Sequence, residues 1–203
     1  RVKVYGAGYV FGRSGFGQLR SKELESYYTL RFGSPRQIHG HFDHLSLTYW
    51  DRGRNIIVDA GHPGYAKSPL RSYAQSRLAH NVLTVRGKEH DVEAASRLVD
   101  YRVEESWSAY DLEDTAWEGL CWKRSACFVD CGPFVVSDSL EPTHTVEYAE
   151  QRWNVAPEFK YVGSQYEAVR FRSVVDGTQL VFIRYGIDGS RYFDPTDANL
   201  ARG

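Results

Sequence analysis

His39-Gly40-His41-Phe42-Asp43-His44 runs directly into Leu45-Ser46-Leu47-Thr48-Tyr49-Trp50. The first half places three histidines and a carboxylate within six residues. Neutral imidazole and carboxylate oxygen are the ligands that a borderline divalent ion such as zinc accepts. The second half alternates with period two, as a half-buried strand does. Next come the turn-rich tetrad Asp51-Arg52-Gly53-Arg54 and a second apolar run, Asn55-Ile56-Ile57-Val58-Asp59, closed by Ala60-Gly61. The spacing predicts a β-hairpin over 45–59, with the histidine cluster at its entrance and Asp59 at its exit.

The order of these pieces matters. His39, His41, Asp43 and His44 match the H-x-H-x-D-H signature of metallo-β-lactamases letter for letter. In that fold the motif follows a strand and its Asp-Gly-type turn, and leads into a helix. Here it leads into a strand, and the Asp59-Ala60-Gly61 turn comes afterwards. A short motif counts only in its structural context, so that reading is rejected.

The rest of the chain reads as β. Further strands are predicted over 27–32, 81–85, 99–103, 123–129, 134–139, 148–155, 168–171 and 180–185. One helix is predicted over 70–78. Many short strands at this spacing indicate an all-β antiparallel β-sandwich of the super-sandwich type, with at most one short helix. Tyr5, Tyr9, Trp107 and Trp122 are expected in the core or on sheet faces. The 203 residues suit one domain over 1–203 that can bury a proper core. A formal charge of −1 argues against a dedicated nucleic-acid binder. No apolar run approaches the ~20 residues of a membrane span, and the start shows no signal-peptide pattern. The chain begins with Arg1 and contains no methionine, so it is expected to be a fragment or a processed product, with any targeting segment upstream. Cys121, Cys127 and Cys131 have no C-x-x-C spacing and are expected to be small buried residues, the last two on one strand face.

Five ordered pieces carry a family resemblance. They are Gly8-Tyr9-Val10-Phe11-Gly12-Arg13-Ser14-Gly15, the His39–Ser46 cluster, Ile57-Val58-Asp59-Ala60-Gly61, Arg71-Ser72-Tyr73, and Ala79-His80-Asn81-Val82. Together they resemble the β-sandwich domain of the heparinase II/III-like polysaccharide lyases, a group that includes exo-acting alginate lyases. The resemblance is dense from about Gly8 to Gly87 and thinner beyond. It implies zinc held by His41, Asp59 and His80, three protein ligands with a fourth position open. It also implies that His39 faces the sugar and assists catalysis, and that a tyrosine between Asp59 and His80 carries a proton. Tyr65, on the 61–64 turn, is preferred to Tyr73 for that role. Asp43 is expected to accept a hydrogen bond from a ligating imidazole.

The residues add a charge argument of their own. From Ala60 to Lys88 there is no Asp or Glu, while Lys67, Arg71, Arg77, Arg86 and Lys88 fall in the stretch. Such a patch can hold an acidic polymer, and arginine suits carboxylate or sulfate. Lys67, Arg71 and Arg77 are therefore the expected substrate-binding residues. The implied reaction is β-elimination on a uronic-acid-containing polysaccharide. The implied partner is an N-terminal α/α-toroid of the same protein, which supplies the other half of the active site, so that the fragment alone is inactive. Location is left open, with periplasm or secretion favoured. Two rival readings stand beside this one: a non-catalytic, metal-stabilised carbohydrate-binding or structural β-domain, and a metal-dependent hydrolase.

Overall fold

A computed structural model describes residues 1–16, 24–34, 40–88, 90–143, 146 and 148–184. The chain divides into two compact units, Arg1–Asn154 and Val155–Gly203.

The first unit is a two-sheet sandwich. Its first sheet is a meander of five antiparallel strands in chain order: β1 (Val2–Tyr5), β2 (Tyr9–Ser14), β3 (Ser26–Arg31), β4 (Leu47–Asp51) and β5 (Arg54–Ile57). The predicted hairpin is present, with Asp51 paired to Arg54. Its two central residues have positive φ, 50° at Arg52 and 84° at Gly53, the twist a two-residue hairpin loop needs. Helix α1 (Pro69–Gln75) follows, with Ser68 accepting the Arg71 amide at 3.2 Å and proline in its first turn. The helix is shorter than the 70–78 expectation. Ser76 is extended, and its hydroxyl and amide both return to the Tyr73 carbonyl, after which a 3-10 turn covers Arg77–Ala79.

Short β6 (Leu83–Val85) precedes the second sheet, formed by β7 (Ser96–Val103), β8 (Trp107–Trp117), β9 (Leu120–Val129) and β10 (Phe134–Pro142), again an antiparallel meander. β11 (Ala149–Gln151) pairs with β6. The sequence pattern named no strand over β8, because two of its inward positions are Ser108 and Asp114 rather than apolar residues.

The core lies between the sheets. Tyr28 of β3 stacks on Phe128 of β9 at 3.7 Å between ring centroids, and its hydroxyl bonds Ser108 and Tyr110 across the gap. Gly12 makes room for that tyrosine: a Cβ there would fall 1.9 Å from the Tyr28 ring. Leu30, Leu47, Leu112 and Trp122 fill the same layer and are almost fully buried. The cysteines depart from expectation. Cys127 is half-buried, and Cys131 lies exposed in the turn after β9 with φ of 55°, so the two do not share a strand face.

The second unit carries a three-stranded antiparallel sheet of β12 (Phe159–Gln165), β13 (Ala168–Ser173) and β14 (Gln179–Ile183). Among the described residues no helix is long and apolar enough to cross a membrane.

Candidate metal centre

His41, Asp59 and His80 come from three segments and meet. His41 lies on the loop into β4. Asp59 follows β5 by two residues, and His80 caps the 3-10 turn. Each offers a ligand atom, and these atoms lie within 4.8 Å of one another. A tetrahedral ion with bonds of about 2.1 Å needs ligand atoms about 3.4 Å apart, so movements of about an ångström would bring the three to a common centre. The donor set, two imidazoles and a carboxylate, is chemically suited to zinc. His80 adds a direct sign. It is fully buried, its Nδ1 lies 2.6 Å from Asp59 Oδ2, and its Nε2 has no hydrogen-bond partner among the described residues. A buried imidazole nitrogen left without a partner is costly.

The electrostatics favour a neutral His41 and an ionised Asp59. Burial, and then the neighbouring His80, lower the pKa of His41 and so favour its neutral form. Burial acts to raise the Asp59 carboxyl. The hydrogen bond and charge of His80, the Gly61 amide at 3.0 Å and His41 outweigh it, and the carboxyl sits below its ordinary range.

Two buried residues fix the geometry. The Asn81 amide group donates to Leu47 O and Val58 O at 2.8 Å each, and its Oδ1 accepts the Asn154 amide at 2.6 Å. It thereby ties the chain after His80 to the chain before Asp59. Arg124, fully buried on β9, donates through Nη1 to Leu45 O at 2.8 Å and Asn81 O at 2.7 Å. Its Nε and Nη2 grip Asp138 at 2.8 and 2.7 Å. Leu45 has φ of 61° and belongs to a turn closed by the Ser46 amide on Asp43 O, so β4 begins at Leu47 rather than at 45. Neither Asn81 nor Arg124 was expected at the site. The signal was an arginine at an inward-facing position of β9, with Asp138 as its register partner on β10.

The other expected residues divide. His39 lies outside the described residues. Tyr65 is exposed and its ring lies 4.8 Å from His62, which lies 6.2 Å from His41. His62 therefore joins the site, although only its place on the Gly61-Gly64 turn hinted at it. Arg71 donates to Tyr65 O and lies over its ring. Tyr73 is on α1, with its hydroxyl 3.4 Å from Leu78 O. Lys67 is exposed. Arg77 differs from the expectation: it is buried, donates to Leu83 O and packs over Trp117. Asp43 Oδ1 is buried, 3.7 Å from Arg31 Nε, and has no hydrogen-bond partner among the described residues.

A second cluster, His44, His90 and Asp114, also has ligand spacing. Arg77 occupies its cation position. Its Nη1 is 2.8 Å from His90 Nε2 and 3.6 Å from Asp114 Oδ2. A divalent ion about 4 Å from that guanidinium would meet a repulsion of about 8 kcal/mol at an effective dielectric of 20. The cluster is thus a buried ion pair with two histidines. Burial, outweighing Asp114, brings the pKa of His44 down to about 4.

With that geometry in place, comparison with known proteins is decisive on family. Residues 7–189 match the family described as heparinase II/III-like, C-terminal. The chain belongs to that family. Among curated proteins none matches it. Among solved structures it is similar to heparan sulfate lyase HepC from Pedobacter heparinus, with a TM-score of 0.76 and 20% identity, over 89% of this chain and 28% of that one. It is also similar to a heparinase III gene product, with a TM-score of 0.78 and 18% identity over 93% and 29%. A further heparinase III structure gives a TM-score of 0.67 and 16% identity over 89% and 33%. The chain spans about a third or less of each of these proteins, and identities this low establish the shared fold.

Proposed function

We propose that this chain is the β-sandwich part of a polysaccharide lyase that cleaves uronic-acid-containing polysaccharide by β-elimination, with zinc held by His41, Asp59 and His80. The observation that carries the reading is the convergence of those three residues within a heparinase II/III-like fold, with the His62 ring 6.2 Å from that of His41 and the Tyr65 ring next to His62. Bound zinc would neutralise Asp59 and hold the loops of His41 and His80 together.

In the elimination, the C5 proton of the uronate is removed, its electron pair becomes the C4–C5 double bond, and the C4–O4 bond breaks. The departing oxygen takes up a proton. Tyr65, exposed beside His62, and His39 are the candidates for moving those protons. Lys67 and Arg71 are assigned to the substrate's acidic groups, because ammonium and guanidinium pair with carboxylate or sulfate. Arg77 has an internal role instead. The complementary half of the site is assigned to an N-terminal α/α-toroid, and a periplasmic or secreted location suits the substrate.

The test uses the intact protein with heparan sulfate and with alginate, following the ultraviolet absorbance of the new double bond. Wild type should produce it, and Tyr65→Phe should lower kcat at least about 100-fold, the scale of a lost proton-transfer group. Reducing-end release without that absorbance would favour a hydrolase. Tight binding without any cleavage would favour a carbohydrate-binding domain.

A further inference from the structure

In a sandwich of antiparallel sheets the outward face is ordinarily polar. The outward face of the β1–β5 sheet is aromatic. Tyr9 and Phe11 of β2 stack at 5.9 Å, Phe11 approaches Tyr27 of β3 at 6.5 Å, and Phe16 approaches Trp50 of β4 at 6.1 Å. The registers align Arg13, Tyr27, Trp50 and Asn55 in one row across β2, β3, β4 and β5. Phe16, Tyr27 and Trp50 line a groove of about 650 Å³, together with Glu25, Thr48 and Asn55, and Asp59 is also in its wall.

Asp59 thus belongs both to the metal centre and to the groove. We propose that this groove is a glycan subsite, in which pyranose rings of the polysaccharide stack on Trp50 and Tyr27 while the chain extends toward the metal centre. The proposal rests on the lyase reading above and adds the path of the chain to it.

The chemistry fits a sugar better than a protein partner. Aromatic faces carry negative charge density, which complements the C–H faces of a pyranose. Thr48, Asn55 and Glu25 can hydrogen-bond its hydroxyls. Arg13 is exposed at the end of the row and lies 5.5 Å from the Phe16 ring, where it can meet a uronate or sulfate. A dry protein interface would instead take the Glu25 carboxylate out of water, which is costly. The volume lies within the range of about 300–1,000 Å³ common for small-ligand sites.

The test is calorimetric titration of the intact protein with a heparan sulfate dodecasaccharide, beside turnover of the same chain. Trp50→Ala should weaken binding at least tenfold and raise KM with kcat retained, whereas Trp50→Phe should stay within threefold of wild type. Arg13→Ala, at an exposed position away from the core, should weaken binding severalfold and covers the case in which Trp50→Ala does not fold. Unchanged affinity in a folded Trp50→Ala, or in Arg13→Ala if the other does not fold, overturns the groove while leaving the lyase reading standing. Binding that is lost in the variants of a protein that shows no cleavage supports the groove and overturns the lyase reading. Wild type that does not bind the dodecasaccharide, or a Trp50→Ala protein whose only change is its sedimentation mass, also overturns the groove, the latter in favour of a protein partner.

Discussion

Replacing Arg124 by Met should be among the most damaging single changes in the first unit. The guanidinium is fully buried, and Asp138, its bidentate partner, is only 6% exposed. Burial acts to raise the Asp138 carboxyl, but Arg124 and the bonds from Gln151 and Trp122 hold it below the usual carboxylate range. Breaking a buried pair by removing one partner costs about 3–5 kcal/mol, since it leaves a buried charge uncompensated. For a unit of this size each kcal/mol lowers Tm by about 2–4 °C, so a fall of about 6–20 °C is expected in calorimetry near neutral pH. The sign of the pH effect is also set. A carboxyl with a depressed folded pKa contributes stability above its unfolded pKa of about 3.9, and that stability is lost as pH falls through the folded value. In the variant the stranded carboxyl is raised, so its deficit should shrink as pH falls toward 4. Arg124→Met with Asp138→Leu should recover part of the loss, because the uncompensated charge is gone. The remaining deficit should report Leu45 O and Asn81 O, which Arg124 also holds, and zinc affinity should fall with it. A loss below about 1 kcal/mol, or a double variant no better than the single one, would refute the reasoning.

Other outcomes follow from the same geometry. His41→Ala should abolish zinc uptake by elemental analysis and remove the shift in Tm between chelated and zinc-loaded protein; a variant that still loads one equivalent would exclude His41 as a ligand. The His44 pKa of about 4, against about 6.5 unfolded, means the unfolded chain binds the extra proton between those values, so stability should decline by about 3 kcal/mol as pH falls from 6.5 to 4. His44→Gln should flatten that part of the pH profile, and an unchanged profile would assign it elsewhere. Gly8→Ala should lower stability by about 2–4 kcal/mol in denaturant melts, because φ there is +99° and the added Cβ would fall 1.9 Å from the Phe32 carbonyl oxygen; a near-neutral change would mean that the Gly8 turn yields easily.

Period-two patterning and turn chemistry made the all-β class and the β4–β5 hairpin legible, because both depend on residues near in sequence. His41, Asp59 and His80 were singled out by the family resemblance, supported by ligand chemistry that belongs to the side chains. β8 escaped because Ser108 and Asp114 occupy inward positions that pattern reading assigns to solvent. Arg77 reads as one more cation in a basic stretch, and only packing shows its guanidinium turned inward between Asp114, His90 and Trp117. Arg124 left a trace at an inward position of β9, but what it and Asn81 hold was out of reach, since their partners lie up to 79 positions away in the chain. Local sequence determines which groups can bind an ion or form a strand. Their convergence on one point depends on long-range hydrogen bonds and burial, which exist only once both sheets have closed on each other.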